Sequence, residues 1–148
     1  MSKITVDKNL IAHDFATAYH GKMSQNQIDS AVASILSAQS KYPISNGSII
    51  GGIFYVRLTC DITVNGKNHA FIGNGGGLFT PGGGAVLGDV YTDDATRLVT
   101  STVSFQINAT PAYVNVNFFD GSSHLLGNLQ AGAVSIVTGT GGGTGTWS

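Results

Sequence analysis

Four histidines, one cysteine, a pair of adjacent aspartates and two glycine runs are the residues of this chain whose types could support chemistry. His13, His20, His69 and His124 are scattered, with no i, i+4 pair and no carboxylate cluster at metal-ligand spacing, so no metal site is spelled out. Imidazole can also report acidification, since it titrates near neutrality, but four separated histidines read as ordinary solvated side chains. Cys60 falls on the inward phase of an alternating segment, where a thiol packs as a small hydrophobe and is a poor nucleophile. Being single, it also rules out an intramolecular disulfide and a cysteine-based zinc site. Asp93 and Asp94 are neighbours that point apart, which suits turn shaping better than paired acid–base work. None of the many serines stands in a Gly-x-Ser-x-Gly elbow.

The glycine runs, Gly73-Asn74-Gly75-Gly76-Gly77-Leu78 and Pro81-Gly82-Gly83-Gly84, invite a phosphate-loop reading, because glycine lets backbone N–H groups approach an anion. The details refuse it. No Gly-Lys-Ser or Gly-Lys-Thr follows, Leu78 stands where a dinucleotide fingerprint needs its third glycine, and no helical pattern comes next. The runs read instead as bulges and sharp corners, too dense in glycine for regular structure throughout. No residue is therefore assigned as catalytic, cofactor-binding or metal-binding, no cofactor is expected, and the expectation is a protein that is not an enzyme. The binding surface stays unassigned.

The elements around these residues follow from composition and period. With 148 residues and 15.2 kDa, one domain with a real core is the default. Charged residues make up only 10% of the chain, against roughly 25% in ordinary soluble domains, and glycine reaches 21 residues, about twice the usual share. That balance favours tightly turned β structure. A net charge of −1 offers no field for a phosphate backbone, so nucleic acid is not expected as a partner. Met1 to Leu10 lack the apolar core of a signal peptide, and no run approaches the 18 or so apolar residues of a membrane span.

Ser24 with Gln27 reads as a capping box, and Ile28, Val32, Ile35 and Leu36, with Ala31 and Ala38, form one apolar stripe, which predicts a helix over about 24–39. The stripe suits packing on a β structure or docking of a partner. A weaker helix is predicted over about 8–19 from Ile11, Phe15, Ala18 and Tyr19, with Asp7 as cap and Gly21 as stop. From Phe54 the period becomes 2: Phe54, Val56, Leu58, Cys60, Ile62 and Val64 alternate with polar residues as far as Asn65-Gly66, a type I′ hairpin pair. A two-residue turn there sets Cys60 opposite Phe71 and Ile62 opposite His69. Further strands are predicted at about 67–72, 85–91, 102–107, 113–118, 125–130 and 133–138, with a last one ending at Trp147 and a turn at Thr92-Asp93-Asp94-Ala95.

That pattern predicts a mainly β protein: a closed eight-stranded antiparallel β-barrel over residues 48–148, of Greek-key type and filled by side chains, behind a helical segment over 1–47. Gly84-Ala85-Val86 recurs as Gly132-Ala133-Val134, a hint that two halves share a plan. Gln106, Tyr113, Asn115 and Asn117 fall on the predicted outer face, where they could hydrogen-bond and stack on a sugar.

The later two thirds resembles the virulence-associated protein (Vap) family of intracellular actinobacterial pathogens. The resemblance rests on Gly75-Gly76-Gly77-Leu78, Pro81-Gly82 and Gly84-Ala85. It continues through Thr102-Val103-Ser104-Phe105-Gln106, Asn108-Ala109, Tyr113, Asn115, Asn117-Phe118-Phe119-Asp120 and Leu126-Gly127. Its last part is Gln130-Ala131-Gly132-Ala133-Val134-Ser135 and the ending Gly141-Gly142-Gly143, Gly145 and Trp147. Leu87 stands where the family commonly has Trp, and the N-terminal third lacks clear similarity. The resemblance implies a Greek-key barrel, secretion, and a non-enzymatic role in survival inside phagocytes, with host membrane lipid or a host protein as partner and membrane or endolysosomal trafficking as the target. It carries over no functional residue. The alternative is a carbohydrate- or protein-binding β-barrel module.

Overall fold

The computed structural model describes residues 7–37, 40–132 and 137–148. Its first elements are α1 (Lys8–Tyr19) and α2 (Gln25–Leu36). Asp7 caps α1 by accepting from the Asn9 N–H at 2.9 Å, and Gly21, at φ 79°, turns the chain out of it. α2 starts with the capping box read from the sequence, Ser24 and Gln27 each satisfying the other's backbone N–H. Ile28, Ala31 and Ile35 are its buried stripe, while Leu36 is exposed. Ala38 and Gln39 lie outside the described residues.

Ten strands follow: β1 (Ser40–Pro43), β2 (Ser45–Gly52), β3 (Tyr55–Val64), β4 (Lys67–Phe79), β5 (Gly82–Ala85), β6 (Leu87–Thr92), β7 (Ser104–Ala109), β8 (Tyr113–Phe119), β9 (Leu125–Gly132) and β10 (Gly139–Trp147). They form one antiparallel sheet in the order β1-β6-β9-β8-β7-β10-β4-β3-β2-β5. The β3–β4 hairpin turns on Asn65 and Gly66, both at positive φ, and its register places Cys60 against Phe71 and Ile62 against His69, as predicted. β10 lies beside β7 at the start of the β7-β8-β9 meander, and β5 lies beside β2 at the start of β2-β3-β4, so the two halves repeat one order.

The expected closed barrel of eight uninterrupted strands does not hold. Pairing breaks at Ile44, between β1 and β2, and at Val86, between β5 and β6. Pro43 has no N–H for a ladder, and each break donates its N–H across to the other segment instead: Ile44 to the Gly88 carbonyl at 3.0 Å and Val86 to that of Gly47 at 2.9 Å. Among the described residues β1 then pairs only with β6 and β5 only with β2. The sheet is an open half-barrel of ten strands with β1 and β5 at its two ends.

The glycine runs are corrected too. Gly73 to Gly77 belong to the interior of β4, and Gly141, Gly142, Gly143 and Gly145 pair with them from β10. Except at Gly76, a side chain has no room at these glycines. A Cβ on Gly77 would stand 2.2 Å from the Thr140 carbonyl oxygen, and one on Gly141 2.0 Å from that of Gly76. A short helix, α3 (Ala95–Ser101), replaces the expected simple turn, capped by Asp94 on the Arg97 N–H at 3.0 Å. The strand expected over Ala133–Thr138 falls mainly on residues 133–136, outside those described, as does part of the Gly132-Ala133-Val134 repeat.

The inner side of the sheet is filled. Phe71 meets Phe105, Phe118 and Trp147 with ring centroids 5.8, 5.0 and 5.2 Å apart, near-perpendicular or tilted arrangements that suit the ring quadrupoles. Around them pack Leu58, Cys60, Ile62, Ile107, Val116 and Leu129, none measurably exposed.

Candidate functional site: a buried carboxamide face

None of the sequence candidates for chemistry is brought together with another. His13 lies in α1, His20 at its end, His69 in β4 and His124 just before β9; His69 is half-buried and the other three are exposed. His69 Nδ1 lies 3.2 Å from the Ser148 carbonyl, and His124 Nδ1 3.4 Å from Asp120. Cys60 is buried in the core, where desolvation, with Asp61 adding to it, pushes its thiol well above the ordinary range. Asp94 is occupied as a helix cap, and Asp93 is exposed beside it. No group of three His, Cys, Asp or Glu that could hold a metal occurs among the described residues.

The notable polar assembly lies elsewhere. Strands β7, β8 and β9 alternate strictly: Ile107, Val116 and Leu129 point into the core, while six carboxamides point to the other side. Register aligns these in two rows across three strands. One row is Gln106, Asn117 and Asn128; the other is Asn108, Asn115 and Gln130. All six are at most 5% exposed, which overturns the reading of Gln106, Asn115, Asn117 and Tyr113 as an outer sugar-binding surface.

Burying amides costs little only if they satisfy one another. Here they do. Gln106 donates to Asn108 and accepts from Asn117, both at 2.9 Å; Asn117 also donates to Asn115 at 2.9 Å, and Asn115 donates to the Leu129 carbonyl at 3.1 Å. Gln130 donates to Asn128 at 2.7 Å. The one buried side-chain polar atom without a partner among the described residues is Nε1 of Trp147, in the other layer.

The helical segment is the cover. Ile11, Ala12 and Phe15 of α1 and Ala31 and Ile35 of α2 form a second apolar cluster with Tyr113 and Phe119 at one end of the amide face. The Tyr113 hydroxyl donates to the Asp14 carboxylate in a short hydrogen bond, which ties α1 to β8. Burial first, and then that bond and the carboxylate's charge, raise the Tyr113 phenol above its ordinary value. Lys8 Nζ sits 4.4 Å from the centre of the Tyr91 ring and reaches the Ser37 carbonyl at 3.4 Å. Alternation alone could not reveal this cover, because a polar phase reads as solvent-facing until a second layer is known.

Two further surfaces lie open to solvent. A cleft of about 390 Å³ opens between α1 and the sheet, lined by Ala18, Tyr19, Lys22, Gly77, Leu78, Gln106, Thr140 and Gly141. At the far end of the sheet the β2–β3 turn carries Ile53 and Phe54, 59% and 73% exposed, beside Leu78 at 67%. The Phe79 N–H donates to the Ile53 carbonyl at 3.1 Å, which fixes this turn against β4. Phe54 does not share the inner face that the alternation predicts for it; it sits in the turn, outside the ladder.

Comparison with known proteins places the chain. A model of the Rhodococcus equi virulence-associated protein family matches residues 2–148. Among solved structures it is similar to the virulence-associated protein VapB of Rhodococcus equi, at 40% identity and a TM-score of 0.67 over 75% of this chain and 98% of that one. It is likewise similar to VapD of the same organism, at 35% identity and a TM-score of 0.72 over 76% of this chain and 100% of that one. No curated protein matches it. With a family match across nearly its whole length, the chain belongs to the Rhodococcus equi virulence-associated protein family.

Proposed function

We propose that this protein is a non-enzymatic, secreted virulence effector that acts on host membranes through the apolar end of its sheet, and so alters endolysosomal trafficking. The observation that carries the membrane reading is the exposed Ile53-Phe54 turn with Leu78 beside it. Contiguous exposed apolar side chains on a folded protein mark a contact surface, and aromatic rings favour the lipid–water boundary. The surroundings support it. Residues 42–56 and 68–88 contain no Lys, Arg, Asp or Glu, so the turn and the strand segments that flank it bring no charge of their own to the lipid.

The test is flotation of the full chain with phosphatidylcholine/phosphatidylserine vesicles between pH 5 and 7. Wild type floats with the vesicles. Phe54→Ser with Leu78→Ser reduces the bound fraction at least about tenfold, since burying each such side chain is worth roughly 1.5–3 kcal/mol. Failure of wild type to float with any lipid mixture, or equal flotation of the double variant, overturns the reading. A carbohydrate-binding module resting on an exposed Asn115–Asn117 face is withdrawn, because that face is covered.

A further inference from the structure

We infer that the cleft between α1 and the glycine-paired strands is a binding site for a small acidic sugar, a pyranose carrying a carboxylate. The inference does not depend on the membrane reading: Leu78 borders both surfaces, but the groups used here are Tyr19, Lys22, Gln106 and Thr140, none of which the membrane reading invokes. The floor of the cleft is the paired stretch Gly77-Leu78 of β4 and Thr140-Gly141 of β10. A Cβ at Gly77 or Gly141 would meet neighbouring backbone and the ring of core Phe79, so the side chains that these strands turn to the cleft are those of Leu78 and Thr140.

The walls supply graded chemistry. Tyr19 offers an aromatic side chain, held by Phe15 with ring centroids 4.8 Å apart, and desolvation keeps its phenol neutral throughout the physiological range. Aromatic faces stack on the C–H side of sugar rings. Gln106 lines the back of the cleft, 5% exposed, with its amide clamped by a bond donated to Asn108 and one accepted from Asn117. A carboxamide nitrogen has two hydrogens, and Gln106 spends one on Asn108, so the second is held in a fixed orientation for a ligand oxygen. Thr140 adds an exposed hydroxyl, able to donate and accept. Lys22, exposed at the rim, is the only formal charge on the lining and selects an anion. The volume of about 390 Å³ sits at the small end of ligand pockets, roughly 300–1,000 Å³, which suits one or two sugar rings and not a long chain.

This also gives the amide face a purpose that its burial alone does not. Two rows of interlocked carboxamides hold Gln106 in one orientation from behind, as supporting residues hold a binding group in a preorganised site.

The experiment is an NMR titration of the full-length chain with glucuronic acid, glucose and acetate in parallel. Glucuronic acid is expected to shift the backbone amides of Lys22, Gly77, Gln106 and Gly141 in a saturable way, with a Kd on the order of 1 mM. Glucose is expected to bind at least about tenfold more weakly. Lys22→Gln, an exposed and structurally neutral change, removes that tenfold difference, and Thr140→Val weakens both sugars. Shifts by acetate as strong as those by glucuronic acid would reduce the site to a lysine ion pair and overturn the proposal. So would equal binding of glucose and glucuronic acid, or the absence of saturable shifts at these residues up to about 20 mM.

Discussion

The two faces of strands β7, β8 and β9 are equally dry and chemically opposite. Inward lie Ile107, Val116, Phe118 and Leu129, all essentially unexposed, held by dispersion and by removal of apolar surface from water. Outward lie Gln106, Asn108, Asn115, Asn117, Asn128 and Gln130, 5% exposed or less, held by bonds with direction. The comparison teaches that dryness does not fix chemistry. An apolar face tolerates repacking at a cost that scales with lost volume. An amide face is close to neutral when complete and costly when one member is removed, because its partners are left unsatisfied.

The largest expected effect breaks the inner face. Phe118 touches both Phe71 and Trp147, with ring centroids 5.0 and 5.3 Å away, so Phe118→Ala removes one ring of the core aromatic cluster. A loss of about 3–5 kcal/mol is expected, read by denaturant unfolding on the fluorescence of Trp147, the only tryptophan. A loss under about 1 kcal/mol would mean that the inner layer is not close-packed.

On the outer face the informative change is Asn117→Ala. Asn117 donates to both Gln106 and Asn115, and each acceptor loses that bond. Roughly 1–3 kcal/mol per unsatisfied buried group is expected, although the substitution deletes far less apolar volume than Phe118→Ala. The double variant Asn117→Ala with Gln106→Ala separates the faces further: its cost should fall well short of the sum of the two singles, because the partners are removed together. Strict additivity would show that the amides are buried independently and form no network.

The cover gives a smaller effect. Tyr113→Phe keeps the ring in its apolar cluster and removes the hydroxyl that donates to Asp14. A hydrogen bond to a charged acceptor contributes roughly 1.5–3 kcal/mol where it is fully buried, and at this partly exposed contact about 1 kcal/mol is expected. Amide hydrogen exchange should locate the loss in α1 while β3 and β4 keep wild-type protection. Uniform loss across the sheet would show that helices and sheet unfold as one unit.

Much of this architecture is legible in the sequence where one local rule governs. The Ser24–Gln27 capping box and the Asn65-Gly66 turn each act over four residues, and both appear as read, the turn carrying the Cys60–Phe71 register with it. Features set by a second layer are not legible. The outer amides look solvent-facing because alternation reports two faces and is silent on what covers either. The glycines of β4 and β10 look like breakers because propensity scores single residues, whereas each run is made regular by the other, paired across from it. The split at Val86 is set by a contact between distant segments, and β1 and β2 fall on residues 40–52, where no strand is predicted, so the ten strands are not the eight expected and the closed ring is an open half-barrel.

The smallest effect concerns charge, which both faces exclude. Asp120, in the turn after β8, accepts from the backbone N–H groups of Ser122 and His124 at 2.9 and 3.0 Å and pairs with Arg97 at 2.8 Å. Partial desolvation pushes its carboxyl upward, but the two backbone bonds and the His124 imidazole outweigh it and hold the group below its ordinary value. A carboxyl lowered in the folded state contributes stability above its unfolded pKa, and that contribution is lost as pH falls through the folded value. Unfolding measured from pH 6 down to pH 2 should therefore show Asp120→Asn flatter than wild type in the acid limb, by less than about 1 kcal/mol because Arg97 and His124 are solvent-exposed. An identical acid limb in the variant would mean that this turn is held by its backbone alone, and that the only acidic side chain beyond Asp94 plays no part in stability.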